Sequence, residues 1–283
     1  MLPLTAPEYF ETRAARLHVK GVTAALTFAD FILTTSEYNK KALAEYMAGR
    51  KLDTIPVRLA PLGHDLPLTA PADSKVSIAV AGMLSKDYVL CVGTIEARKN
   101  PIYLFNVWKT MVRSGRADIP YLVFAGRKGW LVQDFMDQLR ACNHLDGRIA
   151  VLHNVTDLEL ELLYRKCLLT AFPSFVEGWG LPVGESLTRG KICLASAAGG
   201  APEAGGEFAD YIDPYSATDG LTKLLRYLDD PELRRSRERE IANRFEPRTW
   251  LTVADELLRS TQDLARQVSP SGDIAAITLP PDR

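Results

Sequence analysis

Two carboxylates, Glu177 and Glu185, are separated by seven residues around a Gly-x-Gly turn in the run Pro173-Ser-Phe-Val-Glu-Gly-Trp-Gly-Leu-Pro-Val-Gly-Glu-Ser. Ionised carboxylates only accept hydrogen bonds, so two of them at one crevice suit the paired hydroxyls of a sugar, as the acidic residue of a dinucleotide fold suits ribose. Pro182 is well placed as the first residue of a helix. Glu185 then projects from the first turns of that helix and Glu177 from the loop before it, while the turn leaves the main-chain N–H groups of Gly178, Trp179, Gly180 and Leu181 free to point at a ligand. A second group lies in Gly93-Thr-Ile-Glu-Ala-Arg-Lys-Asn-Pro. There Gly93 and Thr94 let a ligand approach the backbone, and Arg98 and Lys99 stand side by side where a helix starts. Two cations with a helix dipole behind them suit a diphosphate. Taken alone, each pair also fits a solvated helix end, but cations at a helix N-terminus are unfavourable unless an anion joins them.

Residues so far apart in sequence must be gathered by a scaffold. From Tyr88 on, apolar β-rich runs at Tyr88–Gly93, Tyr121–Gly126, Ile149–His153, Leu168–Pro173 and Lys191–Ser196 alternate with segments long enough to be helices. This is the rhythm of a parallel α/β sheet with helices on both faces, a Rossmann-like arrangement, and near-continuous apolar runs suit strands buried on both sides. Ligands of such sheets bind beyond the C-terminal ends of the strands, where strand order reverses. Both groups of candidate residues sit just after a strand. Helices are expected near 216–229, 231–243 and 248–266. Before the sheet, residues 8–29 read as an amphipathic helix, Phe31-Ile-Leu-Thr-Thr as a short strand, and Ser36 as the N-cap of a helix through Met47, with another strand from Val57. Residues 64–86 hold Pro67, Pro71 and Gly82 and read as a linker.

The composition excludes several classes. Of 283 residues, 47% are hydrophobic and 24% charged, the balance of a soluble globular protein, and 34 basic against 35 acidic side chains give no global field for nucleic acid or anionic lipid. The widely spaced cysteines Cys91, Cys142, Cys167 and Cys193 read as reduced thiols, which points to the cytoplasm. The histidines form no cluster with one another or with a cysteine, so no metal is expected. The apolar stretch around Gly21 to Leu33 is interrupted by Asp30 and is shorter than the ~20 apolar residues that cross a bilayer; peripheral contact with a membrane is left open.

The stretch Ser174–Glu185, Ser-Phe-Val-Glu-Gly-Trp-Gly-Leu-Pro-Val-Gly-Glu, resembles the E-x7-E signature of retaining, GT-B-fold glycosyltransferases, the family of sucrose synthases and many bacterial mannosyl- and glucosyltransferases. The resemblance continues in the same order through Val92-Gly-Thr-Ile-Glu-Ala-Arg-Lys-Asn, Val123-Phe-Ala-Gly, Leu162-Leu-Tyr-Arg-Lys-Cys, Ser196-Ala-Ala-Gly-Gly-Ala-Pro-Glu and Phe245-Glu-Pro-Arg-Thr-Trp, and covers residues 28–266. It implies a nucleotide diphosphate sugar as donor substrate and no cofactor. It places Arg98 and Lys99 on the diphosphate, Glu185 on the ribose, Glu177 on the donor sugar, the amides of Gly178 to Leu181 on sugar and phosphate, and the base near Asn154 and Val155. Tyr164, Trp250 and His153 read as packing or strand-end residues.

A two-domain enzyme of this kind has a second Rossmann-like domain for the acceptor. Residues 1–63 resemble just the end of it, Ala29-Asp-Phe-Ile-Leu-Thr-Thr-Ser-Glu-Tyr looking like its last strand and helix. The expected organisation is therefore an acceptor-side remnant at 1–63, a linker at 64–87 and the nucleotide-sugar domain at 88–246. A helix at 247–266 packs back on the N-terminal part, and a disordered tail follows at 267–283. The expected function is metal-independent transfer of a hexose, with retention, to a saccharide or lipid-linked acceptor. The alternative is a nucleotide-sugar-binding module that needs a partner, a complementary N-terminal domain or self-association, for the missing lobe.

Overall fold

The computed structural model describes residues 1–65 and 75–268. Two short strands, β1 (Ile32–Thr34) and β2 (Val57–Leu59), pair in parallel with Ile32 opposite Val57. A helix, Glu37–Gly49, connects them, and Ser36 caps it by accepting from the Asn39 amide. Six further strands form one sheet: β3 (Tyr88–Val92), β4 (Tyr121–Ala125), β5 (Ile149–Leu152), β6 (Leu169–Phe172), β7 (Cys193–Ser196) and β8 (Asp210–Ile212). All its pairings are parallel and the order is β5-β4-β3-β6-β7-β8. The chain runs outward from β3 through β4 to β5 and then returns to β6 on the other side of β3. The switch point therefore lies between β3 and β6, and the crevice opens beyond Val92 and Phe172.

The continuous apolar runs are explained by burial on both faces. Along β4, Leu122 and Phe124 join one core with Trp108, Phe135 and Leu169, while Val123 and Ala125 join a second core with Tyr88, Leu90, Leu163 and Tyr164. Successive strand residues point to opposite faces, so neither face can be polar. The polar tips of two large buried aromatics are satisfied: Trp108 Nε1 donates to the Pro120 carbonyl at 2.8 Å and Tyr88 Oη to the Leu163 carbonyl at 2.8 Å.

Four sequence expectations are corrected. The stretch expected as linker at 64–87 holds a helix, Ile78–Leu84, whose Val80 is buried in the second core. The Ser77 amide before it donates to Glu159 at 2.7 Å, and Glu159 also closes a capping box with Thr156 at the start of the Asp157–Lys166 helix. Residues 66–74 of that stretch lie outside the described residues. The helix expected over 8–29 is Thr12–Phe28, preceded by a short helix at Leu2–Thr5 and a 3-10 turn at Pro7–Tyr9. Strand β8 is an addition: three residues with polar Asp210 and Tyr211 at the sheet edge carry no apolar run to read. The last helix runs Trp250–Val268, past the residue where a tail is expected to begin, and the expected tail at 269–283 lies outside the described residues.

The chain from Arg248 onward returns to the hinge. His64 N donates to the Arg248 carbonyl at 2.7 Å, Trp250 N donates to Asp65 Oδ1 at 2.8 Å, and the Trp250 indole lies against Gly63. The His64 ring is stacked between Trp179 and Phe245. The hinge is thus tied to the loop that carries Glu177.

Candidate functional site

The turn after β3 is a tight one. A Cβ on Gly126, at the end of β4, would fall 2.0 Å from the Gly93 carbonyl oxygen, so the Gly93–Thr94 turn closes over the next strand only because Gly126 has no side chain. Beyond it, Ala97–Lys99 form a 3-10 turn and Asn100, in the left-handed region at φ 55°, opens the Pro101–Arg113 helix. Asn100 Nδ2 donates to the carbonyls of Pro173 and Pro214, which binds the β3 turn to the loops after β6 and β8. The β6 loop is held from both sides. Phe175 N donates to the Arg98 carbonyl at 2.9 Å, and Gly200 N, in the loop after β7, donates to the Glu177 carbonyl at 2.7 Å.

These ties bring Arg98, Lys99 and Glu177 into contact. Arg98 Nη1 lies 2.6 Å from Glu177 Oε2 and Lys99 Nζ lies 3.0 Å from Glu177 Oε1, with the ammonium 4.7 Å from the Phe172 ring centroid. The sequence reading left out Glu96, which is 2% exposed and pairs with the other arm of Arg98. The cations are therefore not free, as two unpaired charges awaiting an anion; the cluster holds two cations and two carboxylates. Burial alone pushes the Glu177 carboxyl up, but Lys99 and Arg98 more than offset it and hold it below the usual carboxylate range.

Glu185 stands on the Leu181–Thr188 helix, in which Pro182 is the second residue rather than the first as expected. Its Oε2 accepts from Tyr164 Oη at 2.7 Å, so Tyr164, read from sequence as packing alone, is a fully buried partner of the site. Burial raises the Glu185 carboxyl above its ordinary value, against the Tyr164 hydrogen bond and the charges of Arg189 and Lys99. Lys99 thus acts on both glutamates.

Among the described residues, the main-chain N–H groups of Glu177, Gly178, Trp179, Gly180 and Leu181 have no hydrogen-bond partner. A row of unpaired amides at a helix start suits a negatively charged ligand. The Trp179 side chain does not join them: it is packed in the core against His64. Asn154 (φ 53°) and Val155 follow β5 at the far side of β4, exposed and half-buried respectively. They share the C-terminal edge of the sheet with the other residues but touch neither glutamate through any hydrogen bond. Three aromatic rings border the site, of which Tyr9 and Tyr215 lie outside the quoted motifs: Tyr9 stacks on Phe175 at 4.9 Å, and Phe175 lies 5.2 Å from Tyr215. Among the described residues no cluster of three His, Cys, Asp or Glu side chains is placed to hold a metal ion, and no helix is long and apolar enough to cross a membrane.

An all-parallel α/β sheet whose switch point gathers two cations, three glutamates and a row of amides unpaired among the described residues suits an anionic ligand. The chain belongs to the glycosyl transferases group 1 family, which it matches over residues 81–244, more than half its length. It is similar to O-antigen chain mannosyltransferase B of Escherichia coli, 29% identical over 233 residues that make up 81% of this chain and 60% of that protein. It is also similar to D-inositol 3-phosphate glycosyltransferase of Rhodococcus opacus (strain B4), 26% identical over 236 residues, 81% of this chain and 52% of that one. The chain therefore spans about half to three fifths of the length of these relatives. Among solved structures it superposes on Anabaena Alr3699/HepE in complex with UDP-glucose with a TM-score of 0.69 at 18% identity, over 92% of this chain and 70% of that one. That likeness is one of fold.

Proposed function

We propose that the chain carries the nucleotide-sugar site of a retaining, metal-independent glycosyltransferase that moves a hexose from a nucleotide diphosphate sugar to a saccharide or lipid-linked acceptor. The observation that carries this reading is the pairing of Lys99, at 3.0 Å, and Arg98, at 2.6 Å, with Glu177 on a loop whose five amides from Glu177 to Leu181 have no partner among the described residues. An entering diphosphate draws Lys99 from Glu177 and takes the free amides of Gly178 to Leu181 as further donors. The Glu177 oxygen so released accepts from hydroxyls of the donor sugar. Glu185, fixed by Tyr164, accepts from the ribose, and the base extends toward Asn154 and Val155. As the bond between the anomeric carbon and the diphosphate breaks, Lys99 and Arg98 stabilise the charge that builds on the leaving group, the work a metal ion does in other transferases. The names of the relatives support this class: one acts as a mannosyltransferase and one as a glycosyltransferase on D-inositol 3-phosphate, and a structural neighbour is named as holding UDP-glucose.

The test is release of nucleoside diphosphate when the chain is incubated in EDTA with a panel of nucleotide sugars, with and without mannosyl or glucosyl acceptors. Proton NMR of any product gives its anomeric configuration. Release from at least one donor, with the donor's configuration kept in the product, is the expected result. An inverted product, or turnover that needs added magnesium, would overturn the retaining or the metal-independent part of the reading.

A further inference from the structure

The N-terminal unit hydrogen-bonds the Glu177 loop at the Gly178 carbonyl. Asn39 lies in the first turn of the Glu37–Gly49 helix and is 9% exposed. Its Nδ2 donates to the Gly178 carbonyl at 3.0 Å and contacts Thr35 Oγ1 at 2.9 Å, while Thr35 Oγ1 donates to the same carbonyl at 3.3 Å. The orientation of the amide is fixed by this contact, because the opposite flip would set the Asn39 oxygen against the Gly178 oxygen. The helix cannot drift away from the loop. The Glu203 carboxylate accepts from the Glu37 amide at 2.7 Å and the Tyr38 amide at 3.0 Å, clamping the helix start to the turn after β7. Glycine at 178 is part of the fit, since a Cβ there would meet Asn39 Nδ2 at 3.0 Å.

A trans peptide is planar and its C=O and N–H point opposite ways. Holding the Gly178 carbonyl on Asn39 and Thr35 therefore turns the Trp179 N–H to the other side of the peptide, where it has no partner among the described residues. We infer that Asn39, backed by Thr35, is a positioning residue that sets the Gly178–Trp179 peptide for the diphosphate-sugar end of the donor. The inference rests on the proposed nucleotide-sugar site and assigns the N-terminal unit a part in donor binding.

Asn39→Asp tests it. The replacement is isosteric, introduces a carboxylate in a first helical turn where negative charge is favourable, and offers no hydrogen to the Gly178 carbonyl. Calorimetric titration is run with UDP-glucose and GDP-mannose and, in parallel, with UMP and GMP, which lack the distal phosphate and the sugar. The variant is expected to lose about tenfold in affinity for the nucleotide sugar that the unmodified chain binds, with the matching monophosphate within about twofold and the melting temperature little changed. Thr35→Val, which cannot donate, serves as the second variant and is expected to act in the same direction. Equal affinity for the nucleotide sugar in both variants, or an equal loss for monophosphate and nucleotide sugar, would overturn the positioning role. In the first of these outcomes a loss in Glu185→Ala shows that the nucleotide-sugar site itself stands. Absence of binding by the unmodified chain to every probe would overturn the role together with the reading on which it rests.

Discussion

Glu185 is poised by two opposed influences, burial that disfavours its charge and a tyrosine hydroxyl that favours it. Replacing it by alanine removes charge-assisted acceptors for hydroxyls and is expected to weaken nucleotide-sugar binding by about 1–3 kcal/mol, with a loss of stability as well because the buried Tyr164 hydroxyl is left unpaired; titration calorimetry measures the affinity, and unchanged affinity would take Glu185 out of the site. The same carboxyl gives a pH dependence. Its proton is held above the ordinary carboxylate range, so as pH falls the acceptor is lost earlier than for an exposed glutamate, and affinity is expected to fall with it. In Tyr164→Phe the stabilising hydrogen bond is gone and the fall is expected at still higher pH, while in Glu185→Gln that step is expected to vanish. Glu177, held low by Lys99 and Arg98, contributes no step in that range. The spacing of Glu177 and Glu185 and the adjacency of Arg98 and Lys99 were legible as chemistry because each group is local in sequence. Their partners were not. Glu96 meets Arg98 only because the 3-10 turn folds back, and Tyr164 meets Glu185 from a helix 21 positions away.

At the scale of elements, strand and helix alternation was readable because burial on both faces forces continuous apolar runs, and the five longest strands follow it. The Ile78–Leu84 helix escaped because its seven residues show no polar face, Gly82 interrupts them, and its start is fixed by Glu159, far away in sequence. Strand β8 escaped for want of length. The loop after β7 shows how closely elements meet at the site. Gly199 has φ 68°, and a Cβ there would fall 2.5 Å from the Glu177 carbonyl oxygen and 2.6 Å from the Glu177 nitrogen, both backbone atoms that cannot swing away. Gly199→Ala is therefore expected to displace the Glu177 loop, to cost about 1–3 kcal/mol in stability, and to weaken nucleotide-sugar binding as well. Urea denaturation with parallel calorimetry checks both; wild-type stability in the variant would show that the loop has room that the structure denies.

At the scale of the molecule, the chain exposes large apolar side chains. Phe28 is 84% exposed, Leu251 81% and Leu17 59%, and a groove of about 1220 Å³ runs along the Thr12–Phe28 helix between Pro3, Leu17, Ala24 and Arg50, away from the site. The two-stranded pair β1-β2 also leaves open edges. Exposed apolar groups and an apolar groove favour association, so light scattering on the purified chain is expected to show mass rising with concentration; a constant single-chain mass would contradict this. None of it alters the proposal for the switch point of the six-stranded sheet, that a nucleotide diphosphate sugar is held there by Lys99, Arg98, the amides of Gly178 to Leu181 and Glu185. The measurement that bears on this most directly is calorimetric titration of the chain and of Lys99→Ala with UDP-glucose and GDP-mannose in EDTA. Saturable one-site binding of at least one of them, insensitive to the chelator and weakened about tenfold or more in Lys99→Ala, is the expected result. No binding of any nucleotide sugar, or binding that Lys99→Ala leaves intact, would contradict it.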